Sequence, residues 1–246
     1  MLQTSGIRAR TTAPVQKNQL WLNGKTVQGV STEVFQKQVL IPMTAFAKPV
    51  GHTLTVSNKT FRVTMKEGDT KLNCDGLEIA LPRKLDKRFL LPVNLAAALA
   101  GYKAEAADVE SGLAMLSHAE DEASSKIMLV TASEAADNLH AMLTRRQGDW
   151  IAHGRKSWAE IIFTSPQKLS GMVFTWPHGA RRRAFWRVDV SSDGKVFETV
   201  FDGESTARQL ESTIKFTPRK VRVIRLYMKG NSENTWNTLG MLDFLQ

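Results

Sequence analysis

Trp186-Arg187-Val188-Asp189-Val190-Ser191-Ser192-Asp193-Gly194 is the stretch that decides how the second half of this chain is read. Trp186, Val188 and Val190 fall on one side of an extended backbone and Arg187 and Asp189 on the other, the period-two pattern of a half-buried strand. Ser191–Gly194 then supplies turn chemistry, because Asp and Gly tolerate the backbone angles of a tight reversal. Working outward, the preceding Trp176-Pro177-His178-Gly179-Ala180-Arg181-Arg182-Arg183 reads as a loop carrying an indole, an imidazole and three guanidinium groups. Arg can make paired hydrogen bonds to a planar carboxylate, sulfate or phosphate, and an indole face can stack on a sugar ring. A strand that presents such a loop implies binding and not catalysis.

The same alternation continues on both sides. Strands are expected near Ile127–Thr131, Ser157–Thr164, Leu169–Trp176, Phe185–Ser191, Val196–Phe201, Ser212–Phe216, Val221–Met228 and Gly240–Leu245, with Ala135–Arg145 the helical exception. Short strands separated by turn signals are the signature of a β-sandwich.

The first half has a different organisation. Leu20-Trp21-Leu22 followed by Asn23-Gly24 reads as a strand entering a hairpin. Val39-Leu40-Ile41-Pro42-Met43-Thr44-Ala45-Phe46 and Phe89-Leu90-Leu91-Pro92-Val93-Asn94-Leu95-Ala96 are two copies of one motif, their prolines 50 residues apart, as are Gly51 and Gly101. A repeat of this period marks one supersecondary unit used twice. In each copy Pro stands in a first helical turn and Gly where the helix stops. Apolar residues at helical spacing lie between them, so each copy is a short helix whose apolar face covers flanking strands, with further strands at Thr53–Val56 and Thr60–Met65. Pro49 breaks the pattern in the first copy and shortens or distorts that helix. Ser117–Lys126 is polar and aperiodic, as a linker should be.

The totals bound the function. A chain of 246 residues, 42% hydrophobic and 23% charged, accommodates two ordinary domains and is not disordered in composition. A formal net charge of +9 favours acidic partners, whether polysaccharide, nucleic acid or anionic membrane. Cys74 is the sole cysteine, so no intrachain disulfide can form. No run approaches the roughly 20 apolar residues of a membrane span. Met1–Pro14 has no apolar core and is not a secretory signal as it stands; it reads as a flexible lead-in, left after a signal was removed or native to a cytosolic protein.

Two resemblances follow from these residues. The strand with Asn23-Gly24-Lys25, then Leu-Ile-Pro or Leu-Leu-Pro opening a short Ala-rich helix that ends in Gly, resembles the N-terminal domain of copper amine oxidases over about Gln19–Ser117. It implies a spacer or docking module and brings no oxidase. The chain is too short for the catalytic domain, and its five His include no His-x-His pair. The second half resembles the discoidin or coagulation factor 5/8 type C domain, the galactose-binding-like jelly roll that includes many bacterial carbohydrate-binding modules. That resemblance is carried by Trp150, Ser157-Trp158-Ala159-Glu160-Ile161, the Trp186–Val200 segment, Pro218 with Val221-Arg222-Val223-Ile224-Arg225-Leu226, and the closing Leu239–Phe244.

The fold class is therefore mainly β: a small α+β domain built from a duplicated strand-helix-strand unit, followed by a galactose-binding-like β-sandwich. The divisions are residues 1–17 (lead-in), 18–117, 118–126 (linker) and 127–246. Many relatives of the second half hold a structural calcium. Here Gly148-Asp149 lies too close to Trp150, Asp137-Asn138 too far from it, and Met241 stands where the acidic ligand belongs, so the ion is disfavoured and no metal ligand is assigned.

The resemblance places ligands on loops at one end of the sandwich, here Trp150–Lys156, Trp176–Arg183 and Asn231–Trp236. The candidate ligand-binding residues are Trp150, His153 and Arg155 from the first loop, and Trp176, His178, Arg181, Arg182 and Arg183 from the second. Asn234 and Trp236 come from the third. Sugar recognition needs a stacking aromatic and fixed polar groups, and an acidic sugar adds a need for Arg. Trp186, Phe197 and Trp158 are expected in the core. Trp150 reads equally well packed under the loops, and an Arg run is in general a solvated face.

No Gly-x-Ser-x-Gly elbow, phosphate loop, Cys/His arrangement or paired carboxylate is present, so no catalytic residue is assigned. The expectation is a non-catalytic accessory protein, extracellular or at the cell surface, that binds polysaccharide, with acidic glycan favoured and a catalytic module as a further partner. The alternatives are docking onto a protein partner and, behind it, binding to nucleic acid or anionic lipid. A cytoplasmic location is not excluded by the sequence.

Overall fold

A computed structural model describes residues 17–57, 62–74, 77–118 and 127–246. The first half contains eleven strands and one α-helix: β1 (Gln19–Leu22), β2 (Lys25–Ser31), β3 (Glu33–Phe35), β4 (Gln38–Pro42), β5 (Thr53–Ser57), β6 (Arg62–Lys66), β7 (Lys71–Cys74), β8 (Leu77–Ala80), β9 (Leu90–Pro92), α1 (Val93–Ala100), β10 (Tyr102–Asp108) and β11 (Leu113–His118). The second half contributes β12 (Ile127–Ala132), α2 (Ala136–Arg145), β13 (Trp150–His153), β14 (Ser157–Thr175), β15 (Ala184–Ser191), β16 (Glu198–Glu204), β17 (Glu211–Asn231), β18 (Trp236–Leu239) and β19 (Met241–Leu245). The molecule is mainly β, as the pattern of short alternating segments requires.

The duplicated motif finds its meaning in β4 and β9. These two Leu-x-Pro strands pair with each other, antiparallel, with Ile41 opposite Leu91 and each Pro opposite the other copy's first Leu. Both Pro residues stand directly before a helical turn, and Gly101 closes α1 at a φ of 80°, a left-handed cap that Gly adopts without a Cβ penalty. Only the second copy forms an α-helix. In the first, residues Met43–Ala45 make a single 3-10 turn, consistent with Pro49 removing the N–H that a longer helix needs. The remaining strands form a β10-β11-β1-β2 sheet, in which β1 and β11 run parallel, and a β5-β6-β7-β8 meander.

In the second half, β14 and β17 are continuous strands of 19 and 21 residues where two strands each were expected. They pair along their length, with register shifts between Ile162 and Gln167 and again between Leu169 and Gly171. These irregularities let both strands turn a corner and serve both layers of a sandwich. The early part of β14 pairs with β12, its later part with β19, while the later part of β17 carries β15 and β16. Between the layers lie Ile161, Phe163, Leu169, Phe174, Trp186, Val188, Val221 and Ile224. This is the jelly-roll sandwich expected from the Trp186–Gly194 reading. Gly171 sits at the second of these shifts, where an added Cβ would lie 2.4 Å from the Ile214 carbonyl oxygen of the paired strand.

The two halves share a core. Leu129, Ile162 and Val223 of the second half are buried in the same apolar cluster as Leu54, Val63, Ile79 and Leu95 of the first. Each buried aliphatic contributes about 1.5–3 kcal/mol, so this contact is substantial. Polar groups complete it. Glu160, fully buried, accepts the N–H of Ala80 at 3.0 Å and pairs with Arg225 through Nε at 2.7 Å. Thr131 donates to the Ala80 carbonyl at 2.8 Å, so second-half side chains satisfy both backbone groups at the end of β8. The expected linker at 118–126 lies outside the described residues except for His118, which ends β11.

Candidate functional site

One end of the sandwich carries the three loops singled out by the sequence. The first loop is shorter than expected. Trp150–His153 is strand β13, which pairs with β18 as a two-stranded ribbon that puts His153 opposite Trp236 and Ile151 opposite Thr238. Trp150 and Ala152 point inward and Ile151 and His153 outward, the alternation of a half-covered strand.

Two of the expected stacking residues are structural. Trp150 is completely buried, and its indole N–H donates to the Glu134 carbonyl at 2.9 Å. Trp176 is 2% exposed, donates to the Ser212 hydroxyl at 2.9 Å, and stacks on Phe174 with ring centroids 5.7 Å apart. An indole whose N–H finds an internal acceptor gains its full apolar area by burial, and neither ring offers a free face to a sugar. Trp176 forms only the floor of the cleft described below. Arg183 also departs from the expectation, because Glu204 takes its guanidinium at 2.7 Å.

The other candidates converge. A shallow cleft runs between the Trp176–Arg183 loop and the β17–β18 turn, lined by His178, Arg182, Asn231, Trp236, Asn237 and Thr238. Trp236 is 43% exposed. His153 lies edge-on to it with centroids 4.7 Å apart. Arg155 and Arg181 stand exposed on the same rim, and among the described residues no carboxylate pairs with Arg155, Arg181 or Arg182. Arg155 and Arg181 are thus exposed, Arg182 is half-buried at the cleft, and Arg183 is compensated by Glu204.

The cleft is preformed by hydrogen bonds that the sequence reading did not assign. Asn231 donates from Nδ2 to Asn234 Oδ1 at 2.8 Å and to the Trp236 carbonyl at 2.6 Å, while its Oδ1 accepts the N–H of Glu233 and of Asn234. Asn234 Oδ1 also accepts the N–H of Trp236 at 2.9 Å, so this side chain builds the turn and leaves its own amide N–H groups outward. Asn237, 2% exposed, accepts the N–H of Gly230 at 2.8 Å and donates to the Gly154 carbonyl at 2.9 Å. The Ser232 N–H donates to the Arg183 carbonyl and the Arg183 N–H to the Ser232 hydroxyl, which ties the turn to the neighbouring loop. Gly179 lets that loop approach residues 209–210, where a Cβ would lie 2.1 Å from the Gln209 carbonyl. Three Asn residues within Asn231–Asn237 were the available signal, since an Asn that both donates and accepts can lock a turn.

The same end gives little to a calcium ion. Met241 offers a thioether where an acidic donor was sought, and among the described residues no three His, Cys, Asp or Glu side chains gather at one point.

Residues 122–242 match the profile of the F5/8 type C domain. Over these residues the second half is similar to an F5/8 type C domain. The matched family is one of non-catalytic binding modules that includes carbohydrate binders. Among solved structures, the CBM32 of AlyQ in complex with 4,5-unsaturated mannuronic acid is similar at 25% identity, covering 49% of this chain and 95% of that chain, with a TM-score of 0.45. A pectin binding carbohydrate binding module is similar at 21% identity over 50% of this chain and 93% of its own, with a TM-score of 0.45. CpGH89CBM32-5 from Clostridium perfringens, in complex with GalNAc-beta-1,3-galactose, is similar at 15% identity over 48% and 94%, with a TM-score of 0.41. No curated protein matches the chain. The matched residues contain the whole cleft of the second half and stop before β19 ends.

Proposed function

We propose that the chain is a non-catalytic glycan-binding protein whose cleft takes an acidic polysaccharide. The observation that carries this reading is the grouping of an exposed indole, Trp236, with the guanidinium of Arg182 and the imidazole of His178 in one preformed cleft. A sugar presents an apolar face for the ring and hydroxyls for fixed amides, and a uronate adds a carboxylate that Arg holds by two parallel hydrogen bonds. The F5/8 type C match over residues 122–242 and the net charge of +9 support the same assignment. The first half, with its resemblance to the N-terminal domain of copper amine oxidases, acts as an accessory module attached to the binder. The protein acts outside the cell or at its surface, beside a polysaccharide-degrading partner, and binds without calcium.

Isothermal titration against oligouronates and neutral oligosaccharides of equal length tests this. Wild type should prefer the uronates, more weakly as salt rises, and chelation should leave the affinity unchanged. Trp236→Ala and Arg182→Ala should each cost about tenfold, the loss of about 1.4 kcal/mol. Equal affinity in both variants overturns the cleft assignment. Tight, salt-steep binding to DNA with no glycan retention would instead assign the cations to phosphate.

A further inference from the structure

The β3–β4 hairpin of the first half reverses through Gln36-Lys37, with φ of 47° and 55°. Left-handed backbone at both positions of a two-residue loop is the reversal that Asn-Gly or Asp-Gly fills without strain. A turn whose only task was to join β3 to β4 would be better served by those residues. This one is held from outside, by the other half. The Gln36 carbonyl accepts the N–H of Ala135 at 3.1 Å. Lys37 Nζ lies 2.9 Å from the Glu134 carboxylate and 5.0 Å from the centroid of the Trp236 ring.

The same carboxylate receives the N–H of His153 at 2.7 Å, and His153 faces Trp236 across the β13–β18 ribbon. Lys37 retains 52% side-chain exposure, and an ammonium has three donors, so Glu134 does not exhaust it. A half-exposed ion pair of this kind adds little stability. What the arrangement does achieve is to stand a cation from the first half against the exposed aromatic of the second, beside the cleft that holds Arg182.

We infer that Lys37 is a specificity-determining contact of the glycan site, taking the carboxylate of the sugar that follows the one in the His178–Arg182 cleft. The site then reads at least two consecutive acidic sugars and is incomplete without the first half. This rests on the glycan reading above. Local strain at Gln36-Lys37 is explained as the cost of delivering the ammonium to that point.

The test titrates the full chain with uronate oligosaccharides of one to four units and with neutral oligosaccharides of the same lengths. Lys37→Gln should weaken binding of two or more uronates by about fivefold while leaving the single uronate and the neutral series unchanged. Lys37→Arg should restore most of the loss. The double change Gln36→Asn with Lys37→Gly relaxes the turn and removes the ammonium, so it should raise the thermal midpoint and still lose the length-dependent preference. Wild-type affinity for di-uronate in both charge-removing variants, with Arg182→Ala impaired, refutes the role of Lys37 and leaves the cleft standing. An equal loss across neutral and acidic ligands also refutes it, since it would show only a positional effect on Trp236. If Arg182→Ala and Trp236→Ala bind as wild type, the cleft reading itself falls.

Discussion

Replacing Asp137 with Asn should flatten the pH dependence of stability in the range where most proteins change least. Asp137 opens α2 in the second half and is enclosed by the first: its carboxylate accepts hydrogen bonds from the backbone N–H groups of Val39 and Asn94 and from the Asn94 side chain. No Lys or Arg pairs with it among the described residues, and Oδ2 has no partner. Burial pushes its pKa up from 3.8 to about 7, against the smaller opposing effect of those hydrogen bonds. A folded pKa above the unfolded one means that the folded state binds more protons between these two values. The stabilisation is complete below about pH 4 and is lost as pH rises through about 7. At about 1.4 kcal/mol for each tenfold change in proton affinity, the full span corresponds to about 4 kcal/mol. Relaxation and water entry reduce it, so about 2–4 kcal/mol is the working range. Urea midpoints measured from pH 4.5 to 8.5 should fall in wild type and stay nearly level in Asp137→Asn, with the curves separating toward high pH. Parallel curves would show that the carboxylate is compensated in the folded state and would refute the reasoning. The carboxylates whose pKa is lowered, among them Glu78 through its hydrogen bond and charge contact with Lys71, act in the opposite sense below about pH 4.5 and cancel in the comparison.

Glu160→Gln strips Arg225 of its charge partner inside the protein and weakens the acceptor for Ala80, so chemical denaturation should show a loss of about 3–5 kcal/mol in one cooperative step. Trp150→Ala should cost about 3–5 kcal/mol in the same measurement because it empties a buried site. Trp236→Ala, at an exposed rim, should change stability by less than about 1 kcal/mol, which separates its role in binding from any role in folding. Comparable losses in the two Trp variants would contradict the burial assignment.

The repeat was legible because it is written twice in nearly the same residues: Leu40-Ile41-Pro42 and Leu90-Leu91-Pro92 pair as the register of β4 and β9 shows. The sandwich was legible through alternation, as in Trp186–Val190. The β13–β18 ribbon was not, because Asn237 occupies an inward position and breaks the apolar period of Trp236–Leu239. Buried Asn serves there because Gly230 and Gly154 supply backbone partners, and Gly154 is far from it in sequence. An indole packs as well inside as outside, so Trp150 and Trp176 could be assigned only from the acceptors their N–H groups meet. Nor did the sequence reveal the shared core. Ile162 and Val223 lie on strands apolar on both faces, and in β14 Glu160 reads as an outward residue until Arg225 appears beside it on β17.

That shared core has a practical consequence for anyone who wishes to graft the sugar-binding module onto an unrelated enzyme. Cut free near residue 127, the module would carry Leu129, Ile162 and Val223 as a bare greasy surface, with the Glu160–Arg225 pair newly wetted beside them. A transplant would therefore travel with its neighbour, or with those three aliphatics recoded as hydrophilic residues.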